Sequence, residues 1–192
     1  TSCRLRARRH RENRSRAPEP LLSSCWWHTR AMRLYVPVTL AEIDALTGPT
    51  MTLESRGAHA ATPALVAELA AEGVDDLEEV EYVAQLAAAD DSLVLVAADP
   101  AVPWLRAVVS VDVPDSAVRP VEARAGDDDV AASAVMVEGP LTGVRIVCAH
   151  VDEPEAASDI QAVMGGDDEA IERLADRDLL WYDATEISSI PR

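Results

Sequence analysis

Arg106-Ala107-Val108-Val109-Ser110-Val111-Asp112-Val113 is the run that decides the fold of this 192-residue chain. Val109, Val111 and Val113 alternate with Val108, Ser110 and Asp112, so a period of two predicts a strand, ended by Pro114-Asp115. Ala134 to Glu138 and Val144 to Val151 read as two more strands. The segment Gly139-Pro140-Leu141-Thr142-Gly143 between them suits a hairpin connection. Unbroken alternation along the second of these puts Val144, Ile146, Cys148 and His150 on one face. Val147, Ala149 and Val151 then lie on the other, and both faces are expected to be covered.

Working back toward the N-terminus, Arg33-Leu34-Tyr35-Val36-Pro37-Val38 reads as a first strand. Pro37 has no N–H for a ladder, which places this strand at an edge or ends it there. Thr39-Leu40-Ala41-Glu42 is a capping box opening a short helix through Leu46, stopped by Thr47-Gly48-Pro49. Residues 50–61 read as loop. Thr62-Pro63 opens a second helix with Leu65, Leu69 and Val66 turned inward. Asp76 caps a third, in which Leu77, Val80, Val83, Ala84 and Ala87 recur at helical spacing. Residues 92–97 suit a strand by propensity and a continued helix by the face shared between Leu86, Leu93 and Ala97; the helix is preferred.

Toward the C-terminus, residues 115–132, with Gly126 and Asp127-Asp128-Asp129, read as a mobile loop. Pro154 starts a helix carrying Ile160 and Val163. Gly165-Gly166 turns the chain, Asp167-Asp168 caps a helix with Ile171 and Leu174, and Leu179 to Tyr182 reads as a last strand. The order strand, helices, two or three strands, helices, strand predicts a single α+β domain over residues 32–192. The expected architecture is a ferredoxin-like or split βαβ sandwich: a small, mostly antiparallel sheet with helices on one face.

The charge changes sign at Met32. Residues 1–31 carry eight Arg against two Glu, and residues 32–192 carry nine Arg against 32 acidic residues, a net of −23. The basic arm has neither helical nor strand periodicity. It is expected to be disordered and is read as translated DNA upstream of a start at Met32 rather than native coding sequence. Its Arg clusters and Trp26-Trp27 also suit a nucleic-acid arm. The acidic domain scatters its few Arg and so lacks the clustered cations that bind phosphates, which excludes nucleic acid as its ligand. A basic protein partner is compatible with the charge. No apolar run approaches the roughly 18 residues that span a bilayer, so no membrane role is expected. Cys3, Cys25 and Cys148 form an odd set without CxxC spacing, as in a reducing compartment.

Motifs for chemistry are sparse. Phosphate-binding loops, HExxH and zinc spacings are missing from the sequence, so neither a cofactor nor a metal is expected. The best local candidate is Cys148-Ala149-His150-Val151-Asp152. Residues two apart in a strand share a face, so Cys148, His150 and Asp152 would converge; a Cys–His pair can activate a thiolate, and His with Asp can hold a metal. Against this, Cys148 suits a small core residue and Asp152 a helix cap. Asp112, beside Ser110, is a weaker candidate. Trp181 is expected in the core, because scarce large aromatics usually anchor one; an exposed Trp would instead mark a binding surface.

Met32-Arg33-Leu34-Tyr35-Val36-Pro37-Val38-Thr39-Leu40 resembles the opening of a family of small acidic actinobacterial proteins of unknown function. The Ala-rich stretch around Tyr82, the strand end Ala149-His150-Val151-Asp152 and the closing Leu180-Trp181-Tyr182 resemble it too. The resemblance runs from Met32 to the C-terminus. It implies a cytoplasmic actinobacterial protein, transfers no catalytic residues, and supports the helical reading of residues 92–97. The functional expectation is a non-enzymatic cytosolic protein that binds another protein or itself, through a sheet face or an edge such as residues 33–38. The alternatives are a small enzyme or ligand-binding protein built on Cys148, His150 and Asp152, and an acidic mimic of nucleic acid that occupies a basic protein.

Overall fold

The computed structural model describes residues 31–99, 101–121 and 130–191. The expectations for the arm up to residue 30, and for Gly126 and Asp127-Asp128-Asp129, lie outside the described residues. The elements are β1 (Ala31–Val38), α1 (Leu40–Asp44), β2 (Thr50–Leu53), β3 (Gly57–His59), α2 (Pro63–Ala71), α3 (Leu77–Ala98), β4 (Ala107–Pro114), β5 (Val118–Pro120), β6 (Ala134–Val137), β7 (Leu141–Val151), α4 (Ala156–Met164), α5 (Asp168–Ala175) and β8 (Leu180–Asp183). The class is α+β, as expected. One sheet runs β2-β7-β4-β1-β3-β6-β5, with β8 also paired to β7, and every pairing is antiparallel.

The helix starts follow their sequence signals. The Thr39 hydroxyl accepts from the Glu42 N–H at 3.3 Å, and the Glu42 carboxylate accepts from the Thr39 N–H at 2.9 Å. Thr62 caps α2 with Pro63 in its first turn, and Asp76 caps α3. Helix α3 continues through residues 92–97, as preferred.

The sheet is larger than the expected small one. β2 and β3 occupy residues that read as loop, and β5 lies in the presumed excursion after β4. These strands have three or four residues each, too few for alternation to declare itself. β1 is also central rather than an edge: β4 pairs along its whole length and β3 flanks it. Pro37 is tolerated there for a local reason. The N–H and C=O of one strand residue point to the same side. The Pro37 carbonyl accepts from Arg56 at 2.5 Å, and β3 pairs with β1 only at Tyr35↔His59. The missing donor therefore faces a flank where no ladder asks for it.

Helices cover both faces, not one. On the first face Leu34, Val36, Val38, Val109, Val111 and Val113 pack with Leu40 and Ile43 of α1, Ala156 and Ile160 of α4 and Leu174 of α5. On the second, Tyr35 and Val108 pack against Leu65 of α2 and Val80, Ala84, Ala88 and Ala89 of α3. Alanines let α3 lie close to the strands, and Ser92, fully buried within it, bonds both β1 and β4. Two residues expected to face inward do not: Val66 and Leu77 are exposed.

β7 departs from simple alternation in a way that matters for the site. Ser110 stands opposite Cys148, but Val111 stands opposite Ile146, so Val147 is an extra residue on β7, a bulge. Val144 and Ile146 therefore join Ala149 and Val151 in the first-face core. This corrects the expectation that Val144, Ile146, Cys148 and His150 share one face. Cys148 and His150 are turned to the α3 side instead, beside Ser110.

Candidate functional site

Cys148 and His150 follow the bulge on β7. Cys148 is buried and lies between Ser110 of β4 and Asp183 of β8; half-buried His150 lies between Val108 and Trp181. Ser110 is thus diagonal to His150, within the reach of cross-strand neighbours. The Ser110 hydroxyl and the His150 Nδ1 are buried with no hydrogen-bond partner among the described residues. Burial lowers the His150 pKa to about 4. The ring is therefore neutral at neutral pH, and a base that weak does not hold a thiol proton near pH 7.

Asp152, the third sequence candidate, does not join them. Its carboxylate accepts from the Arg106 backbone N–H at 2.8 Å, from Arg106 Nε at 3.0 and 3.2 Å, and from Nη2 at 2.8 Å. Arg106 also donates to the Arg177 carbonyl at 3.0 Å. Asp152 thus closes a buried clamp that ties the start of β4 to the end of β7. The weaker candidate Asp112 is paired with Arg33 at 2.6 Å on the same face as Ser110.

His150 also sets a pH dependence. The unfolded His, with its ordinary pKa near 6.5, binds a proton that the folded ring resists until about pH 4. The neutral folded form is favoured above that window, and stability falls as pH drops from about 6.5 toward 4. Replacing His150 by Gln should flatten this part of the stability–pH curve by roughly 2 kcal/mol. Urea titrations of both proteins at pH 4.5 and pH 7 measure it; equal slopes in the two would contradict the assignment.

A second constellation had no signal in the sequence. His59 of β3 contacts the Ser133 hydroxyl through Nδ1 at 2.8 Å and the Asp91 carboxylate through Nε2 at 3.1 Å. With a neutral ring, the carboxylate fixes the proton on Nε2, leaving Nδ1 to accept from Ser133. The connectivity is that of a nucleophile, base and carboxylate, but the burial is inverted. Ser133 is 2% exposed, whereas the Asp91 side chain is 57% exposed. Acyl transfer needs the hydroxyl at the substrate and the carboxylate sheltered. This chain of bonds instead braces the turn before β6 against α3. Among the described residues no cluster of His, Cys, Asp or Glu is arranged to hold a metal ion.

Trp181 is 58% exposed, contrary to its expected place in the core. β8 pairs with β7 on one side and has no partner strand on the other among the described residues. Leu180 is exposed beside it. The scarce large aromatic therefore stands on an open sheet edge. Just past β8, Ala184, Thr185, Ile187 and Ser188 face α1 and the loop after it across a cavity of about 490 Å³. No helix among the described residues is long and apolar enough to cross a membrane.

Comparison with known proteins gives one match. A family model described as a family of unknown function, DUF6912, matches residues 32–190, starting where the sequence resemblance starts. No curated protein and no solved structure matches.

Proposed function

The chain belongs to this family of unknown function, and on that premise we propose that it acts by binding, docking an extended basic segment of a partner protein along β8. The carrying observation is Trp181, 58% exposed on a strand with one unpaired edge. An open edge offers backbone donors and acceptors to an added strand, and an exposed Trp beside it supplies an anchor. The charge chooses the partner. Residues 32–192 carry a net of −23, which opposes association with a second copy and favours a cationic segment.

The same reading puts the protein in the cytoplasm of an actinobacterium. The family resemblance supports this, as does Cys148, the lone thiol after Met32, which is unpaired and buried. The reading as an enzyme on Cys148, His150 and Asp152 is not favoured, because Arg106 takes up the carboxylate.

The test is a titration of the ¹⁵N-labelled full chain with a short peptide alternating Arg and Val. The amides of residues 180–183 should shift, and Trp181→Ala should weaken binding about tenfold or more. Shifts spread over the acidic surface, with no effect of Trp181→Ala, would overturn the reading.

A further inference from the structure

The pairing of β8 decides which way a docked segment turns its charges. We propose that the segment carries arginine on the second face of the sheet, stacked on Trp181 beside Asp183, and apolar residues on the first face, beside Leu180 and Tyr182. This rests on the β8 reading and names the pattern that the partner must present. Residues directly opposite in an antiparallel pair share a face. Trp181 stands opposite His150 and Asp183 opposite Cys148. Those two stand opposite Val108 and Ser110, and Val108 packs with α3. Trp181 and Asp183 therefore lie on the second face. Leu180 and Tyr182 lie on the first, where Tyr182 packs against the core. A strand added beyond β8 continues this alternation, so every second residue of it falls on the Trp181 side.

Charge separates the two faces. α4 and α5 pack on the first, and Glu153, Asp159 and Asp167 beside them are already paired with Arg173 and Arg177. On the second, Asp178 accepts from the Tyr82 hydroxyl of α3 at 3.5 Å, and Asp183 accepts from the Thr185 N–H at 2.9 Å and hydroxyl at 2.7 Å. These donors are neutral, and neither carboxylate makes an ion pair among the described residues; Arg145 adds only a weak through-space attraction to Asp183. His150, opposite Trp181, is neutral at neutral pH and does not repel a cation. Trp181 and Asp183, two apart on a strand, are about 7 Å from each other along it, within reach of one long side chain. Arginine suits them better than lysine, because its planar guanidinium stacks on an aromatic face while its edge donates to a carboxylate. Tyr82, 48% exposed, and Asp178 repeat the combination of aromatic and carboxylate at the entry to β8.

The experiment is a double-mutant cycle on the ¹⁵N-labelled full chain. The Arg–Val peptide, and a copy with neutral citrulline in place of arginine, are titrated into the parent and into Trp181→Leu, with the amides of residues 180–183 as readout. The parent should prefer the arginine peptide at least about tenfold. Trp181→Leu should weaken the arginine peptide about fivefold or more beyond its effect on the citrulline peptide. Asp183→Asn, which keeps the oxygen that accepts from Thr185, should weaken the arginine peptide about threefold and leave the citrulline peptide unchanged. Equal losses of both peptides on Trp181→Leu would overturn the face assignment while β8 docking of a basic segment stands. An arginine peptide indifferent to Asp183→Asn would remove Asp183 from the site and overturn the assignment as stated. Equal binding of the two peptides by the parent would overturn the need for a cation in both readings. An arginine peptide that does not shift residues 180–183 would overturn β8 docking, and the face assignment with it.

Discussion

Asp152→Ala lowers the unfolding free energy by about 3–5 kcal/mol, the largest single effect expected in this domain. The Asp152 side chain is fully buried and the Arg106 side chain is 5% exposed. Removing the carboxylate leaves a guanidinium in the interior with, among the described residues, only the Arg177 carbonyl still accepting from it. It also orphans the Arg106 N–H, which had bonded the same carboxylate. Removing both charges is different. The double variant Arg106→Met with Asp152→Leu should recover most of the loss, because a buried ion pair is easily replaced by apolar packing but hard to halve. For a domain of this size the single variant should lower Tm by roughly 10 °C. Urea unfolding of the two variants and the parent decides it. Asp152→Ala costing under about 1 kcal/mol would show that the clamp is not closed in solution.

Ser92→Ala is the second large effect, about 2–4 kcal/mol for the loss of one oxygen atom. The Ser92 hydroxyl donates to the Val38 carbonyl at 2.8 Å and accepts from the Ala107 N–H at 2.9 Å. It therefore completes the end of β1 and the start of β4 from the middle of a helix. Ser92 and Ala107 are both fully buried, so no water replaces the lost bonds without opening the core. Hydrogen exchange gives the local readout: the Ala107 amide should exchange faster than in the parent by more than the global stability change explains. Uniform acceleration of all core amides would mean that α3 had merely loosened. Ser92→Thr keeps the hydroxyl and should retain part of the stability.

What was legible in the sequence follows from the range of the interactions involved. The alternation of β4, the capping box at Thr39 and the Thr62-Pro63 helix start are local, and each appears where it was read. β2 and β3 were not legible, because four residues with two threonines and three with a glycine carry no period. The second helical face was hidden because α3 packs with alanines, which look neutral in a hydrophobic pattern. Within the candidate site, spacing rightly aimed Cys148 and His150 the same way. The fate of Asp152 was set by Arg106, 46 residues away in the chain. The His59 contacts span 32 and 74 residues and belong to no motif. The exposure of Trp181 depends on β8 ending the sheet, which no local pattern reports.

The extra residue at Val147 makes β7 two strands out of phase with each other. Everything before it is read in one frame and everything after it in the opposite frame. A one-residue deletion at Val147 therefore brings the two frames into one: Ile146 and Cys148 become neighbours opposite Val111 and Ser110, and every flanking side chain keeps its face. What the deletion removes is the local bend and added twist, while β2 and β8 keep their pairings with the half-strands on either side. The amide spectrum of a Val147 deletion would show this as changes around residues 146–148 and their partners on β4 rather than along the whole sheet.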